Sequence, residues 1–269
     1  MLSDITLGQY FPGESFIHKL DPRSKILMII AYIASIFIID NFTGYLILGV
    51  FLIACIVNTR IPVKFMIKGL KPVVFFIVLT GFFNLFLTTT GKIYWKWAFL
   101  TVTDEGVRNA VFMILRLFFL IMGTSLLTLT TSPIMLTDGI ERLLSPFGKL
   151  GLPHHEIAMM MSIALRFIPT LIEETDKIIK AQTARGADFE SGNLLSRIKA
   201  MIPILIPLFV GAFRRADELA TAMECRCYKG GKGRTRLNVL RLGINDLVGW
   251  IVVGALLTGI FIANFYGVF

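Results

Sequence analysis

Five apolar runs decide what this chain can fold into: Ile26–Ile39, Phe42–Val57, Pro72–Leu87, Val107–Thr130 and Leu247–Phe265. A helix needs about 20 apolar residues to cross a bilayer core of about 30 Å. The longest run, Val107–Thr130, meets that length and carries only Arg108 at its start and Arg116 two turns in. Left in water, such runs would expose far larger apolar patches than soluble monomers carry. Composition agrees: 55% of the residues are hydrophobic and 17% charged, against roughly 25% charged in average soluble proteins. That is too much apolar surface for a solvated coil. The expected fold class is an all-α integral membrane protein with about five transmembrane helices. The first two runs are short, about 14–16 residues each, and form a hairpin of short or tilted helices broken at Asp40-Asn41.

The charge distribution orients the spans. The chain has 27 Lys+Arg against 18 Asp+Glu, a formal net charge of +9. Arg23 and Lys25 precede the first run, and Arg60, Lys64, Lys68 and Lys71 separate the second from the third. Most remaining cations lie between Arg142 and Arg241. Cytoplasmic loops carry the excess of Lys and Arg, so these three places share the inner side. The Asp40–Gly44 turn and the Thr88–Gly106 loop then lie outside, where Tyr94, Trp95 and Trp97 suit an aromatic belt. The N-terminus is expected inside and the C-terminus outside, in the cell membrane. Asp4, Glu14 and Asp21 interrupt the first 25 residues, so no cleavable signal is expected. Cys55, Cys225 and Cys227 read as reduced thiols, because the Cys-x-Cys pair has no further ligands for a metal. The positive charge is explained by topology and calls for no nucleic acid.

Between the last two runs the chain changes character. The expected organisation is an N-terminal bundle of about four spans over 1–131, a cytoplasmic-side region over 132–245 and a final span over 246–269. The middle region begins with a short helix, Pro133–Leu144. Two long helices follow, at about 154–185 and 194–227. Met160, Ile163, Phe167, Leu171 and Ile178 make one helical stripe, and Ile198, Ile202, Leu205, Phe209, Ala212, Ala216, Leu219 and Met223 make another. Each helix is greasy first and charged later. At 1.5 Å per residue each reaches roughly 45 Å, with kinks expected at Pro169, Pro203 and Pro207. They are expected to run along or just under the membrane. The alternative is that one is a sixth span, for which Leu205–Phe213 is apolar enough.

No engine is visible in the sequence. Gly230-Gly231-Lys232-Gly233-Arg234-Thr235 has the wrong order for a phosphate-binding loop and reads as a flexible basic loop. His155-Glu156 begins a zinc-protease motif, but Met159 stands where its second histidine belongs. No catalytic residue and no metal site are proposed. A stand-alone transporter would need polar groups at midplane in related halves, and the spans offer only Arg116, read as snorkelling or packing against a partner, with a structural role inside the bundle as the alternative. A lipid-modifying enzyme would need a carboxylate or histidine cluster, and Glu173, Glu174 and Asp176 do not share one helical face.

The helix ends carry the remaining signal. The first closes with Ala184-Arg185-Gly186 and the second with Cys225-Arg226-Cys227. Aligning Arg185 with Arg226 also pairs Asp176 with Asp217. An arginine in a last turn offsets the helix dipole, but two long helices ending in the same basic tip suit a docking device, because the guanidinium fork can pair with a carboxylate. With these residues the chain resembles the transmembrane T component of energy-coupling factor transporters, ATP-driven importers of vitamins and trace-metal ions. Two Ala-Arg-Gly motifs end the coupling helices of that family. The first is intact here, and the second keeps its arginine between two cysteines.

The resemblance implies a non-catalytic scaffold that binds no cofactor itself. Arg185 and Arg226, with Ala184, Gly186, Cys225 and Cys227, would dock into two ABC-type ATPase subunits holding ATP-Mg, supported by Asp176, Asp217 and Glu224. The greasy halves, including Met160, Ile163, Phe167, Leu205 and Phe209, would contact a membrane-embedded, substrate-binding S component.

Overall fold

The computed structural model describes residues 10–88, 90, 92–97, 100–150, 153–187, 189, 193–230 and 240–266. Most of the proposed basic loop, Gly231–Thr235, lies outside them, as do the side chains of Tyr94, Trp95 and Trp97. The chain divides into two compact units, Gly8–Gly139 with Leu240–Phe269, and Ile140–Val239.

The first unit is a helical bundle. It contains α1 (Pro22–Ile38), α2 (Phe42–Thr59), α3 (Val63–Leu70), α4 (Val74–Leu87), α5 (Asp104–Thr130) and α9 (Ile244–Phe265). The elements α6 (Pro133–Leu144), α7 (His154–Ala184) and α8 (Leu194–Cys225) lie between α5 and α9 in the chain. The long apolar helix α5 is the hub, with α1, α2, α3 and α4 all packed on it. Ile36, Ile39, Leu48 and Met66 are fully buried at these contacts. Two tyrosines cross the core and satisfy their hydroxyls on α5: Tyr32 donates to the Phe119 carbonyl at 3.0 Å and Tyr45 to that of Phe112 at 3.5 Å. In a membrane a hydroxyl without such an acceptor costs several kcal/mol.

Each end of the bundle has its own ties. Asp21 caps α1, accepting from the Arg23 amide at 2.9 Å, and pairs with the Arg23 guanidinium. Asp246 caps α9 through the Gly243 amide and also accepts the Asp21 amide, both at 2.8 Å. Lys25 donates to the Thr130 carbonyl at 3.0 Å, at the negative end of the α5 dipole. Thus α1 and α9 start together where α5 finishes. At the opposite end Asn264 donates to the Ile38 carbonyl and Arg108 to that of Asp40. The Arg116 guanidinium sits over the Phe37 ring of α1, 5.5 Å from its centre, a contact made inside the bundle.

Among the described residues, four helices are long and apolar enough to cross a membrane, or five with the bent pair α3–α4. The four are α2, α5, α9 and most of α7. Among the two long helices the apolar window therefore lies in α7, where the sequence had pointed to Leu205–Phe213 in α8. Only 6% of that α7 window is buried, against 33% for α9. The apolar run Pro72–Leu87 missed α3 because lysines break it. The Thr88–Gly106 loop contains a short antiparallel hairpin, Ile93–Trp97 with Leu100–Thr103.

One glycine is required by packing. A Cβ built on Gly123 of α5 would lie 2.2 Å from the Tyr32 ring, a distance no side-chain shift of a few tenths of an ångström relieves. We expect Gly123→Ala to destabilise the bundle by about 1–3 kcal/mol, the usual cost of overpacking. A thermal melt of the detergent-solubilised chain reads it, and an unchanged midpoint would show that α1 and α5 are not rigidly apposed.

Candidate docking site

The second unit is built on α7 and α8, of 31 and 32 residues. Both run unbroken through their prolines, Pro169 in α7 and Pro203 and Pro207 in α8. They pack on each other in an antiparallel sense. Glu174 of α7 forms an ion pair with Arg215 of α8. The missing side chain of Gly211 makes room for that carboxylate, since a Cβ there would stand 3.2 Å from Glu174 Oε1. Further along, Ile163 and Phe167 share an open groove of about 460 Å³ with Ala216, Leu219, Met223, Glu224 and Tyr228. Earlier α7 residues therefore meet later α8 residues, and the two C-terminal ends point in opposite directions.

Those ends have the same backbone. Arg185 caps α7 with φ −87° and ψ 6°, and Arg226 caps α8 with φ −89° and ψ 15°. The next residue is left-handed in both, Gly186 at φ 88° and Cys227 at φ 56°. The Gly186 amide bonds the Thr183 carbonyl at 2.9 Å and the Ala187 amide that of Gln182 at 3.0 Å. At the second tip the Cys227 amide bonds the Glu224 carbonyl at 2.8 Å and the Tyr228 amide that of Met223 at 3.0 Å. Each is a Schellman motif, with the paired 6→1 and 5→2 bonds that satisfy the last helical carbonyls. Met223 and Tyr228, the two positions that usually touch in this motif, line the same groove. The replacement of two small residues by cysteines thus leaves the backbone of the second tip unaltered.

Both arginines are exposed, and neither makes an ion pair with a carboxylate among the described residues. Ala184, Gly186, Glu224, Cys225 and Cys227 are exposed with them. Asp176 and Asp217 are elsewhere: each precedes its arginine by nine residues, about 13 Å and half a turn round the helix. Met160, Leu205 and Phe209 are 58%, 42% and 60% exposed. The other two apolar candidates, Ile163 and Phe167, face α8 in the groove.

Sequence reasoning missed the Glu174–Arg215 link, whose only signal was a glycine one turn before an arginine. It also missed the pairing of His155 Nδ1 with Glu141 Oε1 at 3.1 Å. No group of three metal-ligating side chains occurs among the described residues.

The two tips differ in the cost of their left-handed residue. An L-residue in this conformation costs about 1–2 kcal/mol, which glycine avoids. We expect Cys227→Gly to slow amide exchange at Cys227 and Tyr228, and Gly186→Ala to speed it at Gly186 and Ala187. Exchange rates that do not move in opposite directions would show that the caps are not formed in solution.

Comparison with known sequences gives a consistent result. Residues 13–237 match the family described as "Cobalt transport protein", CbiQ. A protein of Clostridium kluyveri named "Energy-coupling factor transporter transmembrane protein EcfT" is 57% identical over 249 residues, covering 92% of each chain. Proteins of the same name from Thermosediminibacter oceani and Bacillus subtilis are 55% and 48% identical. They cover 98% and 96% of this chain, and 99% and 98% of their own lengths.

Proposed function

The chain belongs to the CbiQ family, as a transmembrane T component of an energy-coupling factor transporter, and from that premise we propose that it transmits motion from two cytoplasmic ATPase subunits to a membrane-embedded S component. The observation that carries this reading is the pair of matched arginine tips. Two exposed guanidinium groups, on matching Schellman caps at the opposite ends of two antiparallel helices, suit one groove on each of two like partners. A guanidinium gives a bidentate, charge-assisted contact with a carboxylate in such a groove. ATP-Mg held by the ATPases drives them together and changes the separation of the tips. Because α7 and α8 are tied at Glu174, Arg215 and Gly211, the tips and shafts move as arms of one packed pair. The exposed apolar shafts, with Met160, Leu205 and Phe209, take the S component, whose reorientation delivers a vitamin or other micronutrient. The N-terminus and the α7–α8 unit face the cytoplasm of a cell whose plasma membrane holds the bundle. The chain itself performs no chemistry.

A substrate path through the bundle is not favoured. The groove among its helices, about 370 Å³, is lined mainly by apolar side chains such as Met28, Phe51, Leu52, Leu126 and Val253, with Lys25, Tyr32, Asn58 and Thr130 among them. The amine of Lys25, at that groove, is engaged by the His18 and Thr130 carbonyls and the Thr131 hydroxyl. Purification of the tagged chain from its own membranes in mild detergent tests the reading. Two ATPases and a small membrane protein are expected to accompany it. Recovery of the chain alone, together with uptake by liposomes containing it alone, would overturn the proposal.

A further inference from the structure

The short helix α3 has a feature that coupling does not use. Pro62 starts it and Pro72 follows it, and it meets α4 at a bend of 57°. Its eight residues are about 12 Å long and, at that angle, rise only about 6–7 Å along the α4 axis. The 14 residues of α4 supply about 21 Å of a hydrocarbon core of about 30 Å. With the turn at 71–73 between them, α4 and α3 together come to about that thickness, so α3 completes the span and reaches the boundary with the headgroups.

Its faces are sharply divided. Met66 and Leu70 are buried against the bundle, and the open side of Gly69 meets Ser125 of α5. Lys64, Lys68 and Lys71 follow one another at helical spacing on the opposite face and are exposed. None of them forms an ion pair among the described residues. Arg60, also exposed, stands just before the helix. Val63 and Ile67 flank the lysines and are 51% and 57% exposed. The cations therefore lie on the face of α3 turned away from its bundle contacts, with apolar side chains beside them that suit an acyl boundary.

We infer that α3 is a binding site for the headgroups of anionic phospholipids in the inner leaflet. An interfacial helix of this kind combines an apolar flank with cations that neutralise lipid phosphate. A protein partner is the weaker reading, because a cytoplasmic subunit would have to meet residues set at membrane depth. The site anchors the α3–α4 elbow laterally, independently of the arginine tips.

The test uses the full-length chain in detergent, titrated with phosphatidylglycerol or phosphatidylcholine and read by native mass spectrometry. Three lysines near an anionic group are worth well over tenfold in affinity. In the K64Q/K68Q/K71Q variant the affinity for the first phosphatidylglycerol is expected to fall at least tenfold, with phosphatidylcholine unaffected. K64R/K68R/K71R is expected to keep it, and so is K177Q/K180Q, which removes charge elsewhere. Unchanged phosphatidylglycerol affinity in the glutamine variant overturns the proposal, as does an equal loss in the arginine variant or in K177Q/K180Q. Loss of ATPase co-purification with lipid affinity intact also overturns it and assigns the lysines to a protein partner.

Discussion

Replacing Arg185 and Arg226 together by glutamate is expected to abolish both ATPase co-purification and uptake while the bundle stays folded. Removing one partner of a buried hydrogen-bonded charge pair costs about 2–5 kcal/mol or more, which is roughly 30-fold to several thousand-fold in affinity. Glutamate adds repulsion from the carboxylates expected in the partner grooves. The two tips also act as one bivalent ligand: once the first is seated, the second binds at a high effective concentration. Each single variant therefore loses that advantage along with its own contact, and should weaken assembly by more than one site's affinity. Both tips are exposed and belong to the compact unit that does not contain α5, so the stability of the isolated chain should change by less than the ~0.5 kcal/mol typical of surface changes. Full assembly and transport in the double variant would sink the docking proposal. A lowered midpoint that parallels the loss of binding would instead make the arginines structural. Arg185→Lys and Arg226→Lys refine the result, since an ammonium keeps the charge but not the fork, and an intermediate loss is expected.

The membrane bundle was largely legible because apolar runs report burial in lipid directly. The tips were legible for a different reason: a left-handed residue after a long helix leaves a trace in Gly186, and an exposed arginine at each end repeats it. At the second tip Cys227 hides that trace, and only the hydrogen bonds of Cys227 and Tyr228 show the common backbone. Other features were out of reach for physical reasons. The lysines of α3 break the apolar pattern although Met66 and Leu70 are buried, because a helix that packs on the bundle along one face needs only one dry stripe. The apolar residues of α7 and α8 read alike along the sequence. Nothing local says that Ile163 and Phe167 meet the partner helix while Met160, Leu205 and Phe209 stay open, because helix direction and crossing point decide it. The tie between Glu174 and Arg215 was equally silent, since the two residues lie in different helices and neither differs from its charged neighbours.

That tie sets the second large effect. Gly211→Leu is expected to leave ATPase docking intact and to cut coupled uptake more than tenfold. A leucine side chain at this point occupies the place of the Glu174 carboxylate, which already lies 3.2 Å from where a Cβ would be. It must displace the carboxylate, break the pair with Arg215 and wedge α7 from α8 at their crossing. The ion pair alone cannot produce so large an effect. Its side chains are each 28% exposed, and partly exposed pairs contribute about 0–1 kcal/mol. Glu174→Ala should therefore lower uptake only a few-fold. The wedge acts differently, because packed elements shift between discrete arrangements and do not deform smoothly. Moving the crossing changes the lever between tips and shafts even when every residue of both tips is intact. ATP hydrolysis in the assembled complex should then continue without transport. If Gly211→Leu supports normal uptake in a complex of normal composition, the crossing is not the fulcrum and the two helices signal independently. If it prevents docking as well, the crossing positions the tips, and the smaller Gly211→Ala, which needs the carboxylate to yield only slightly, should restore docking before it restores uptake.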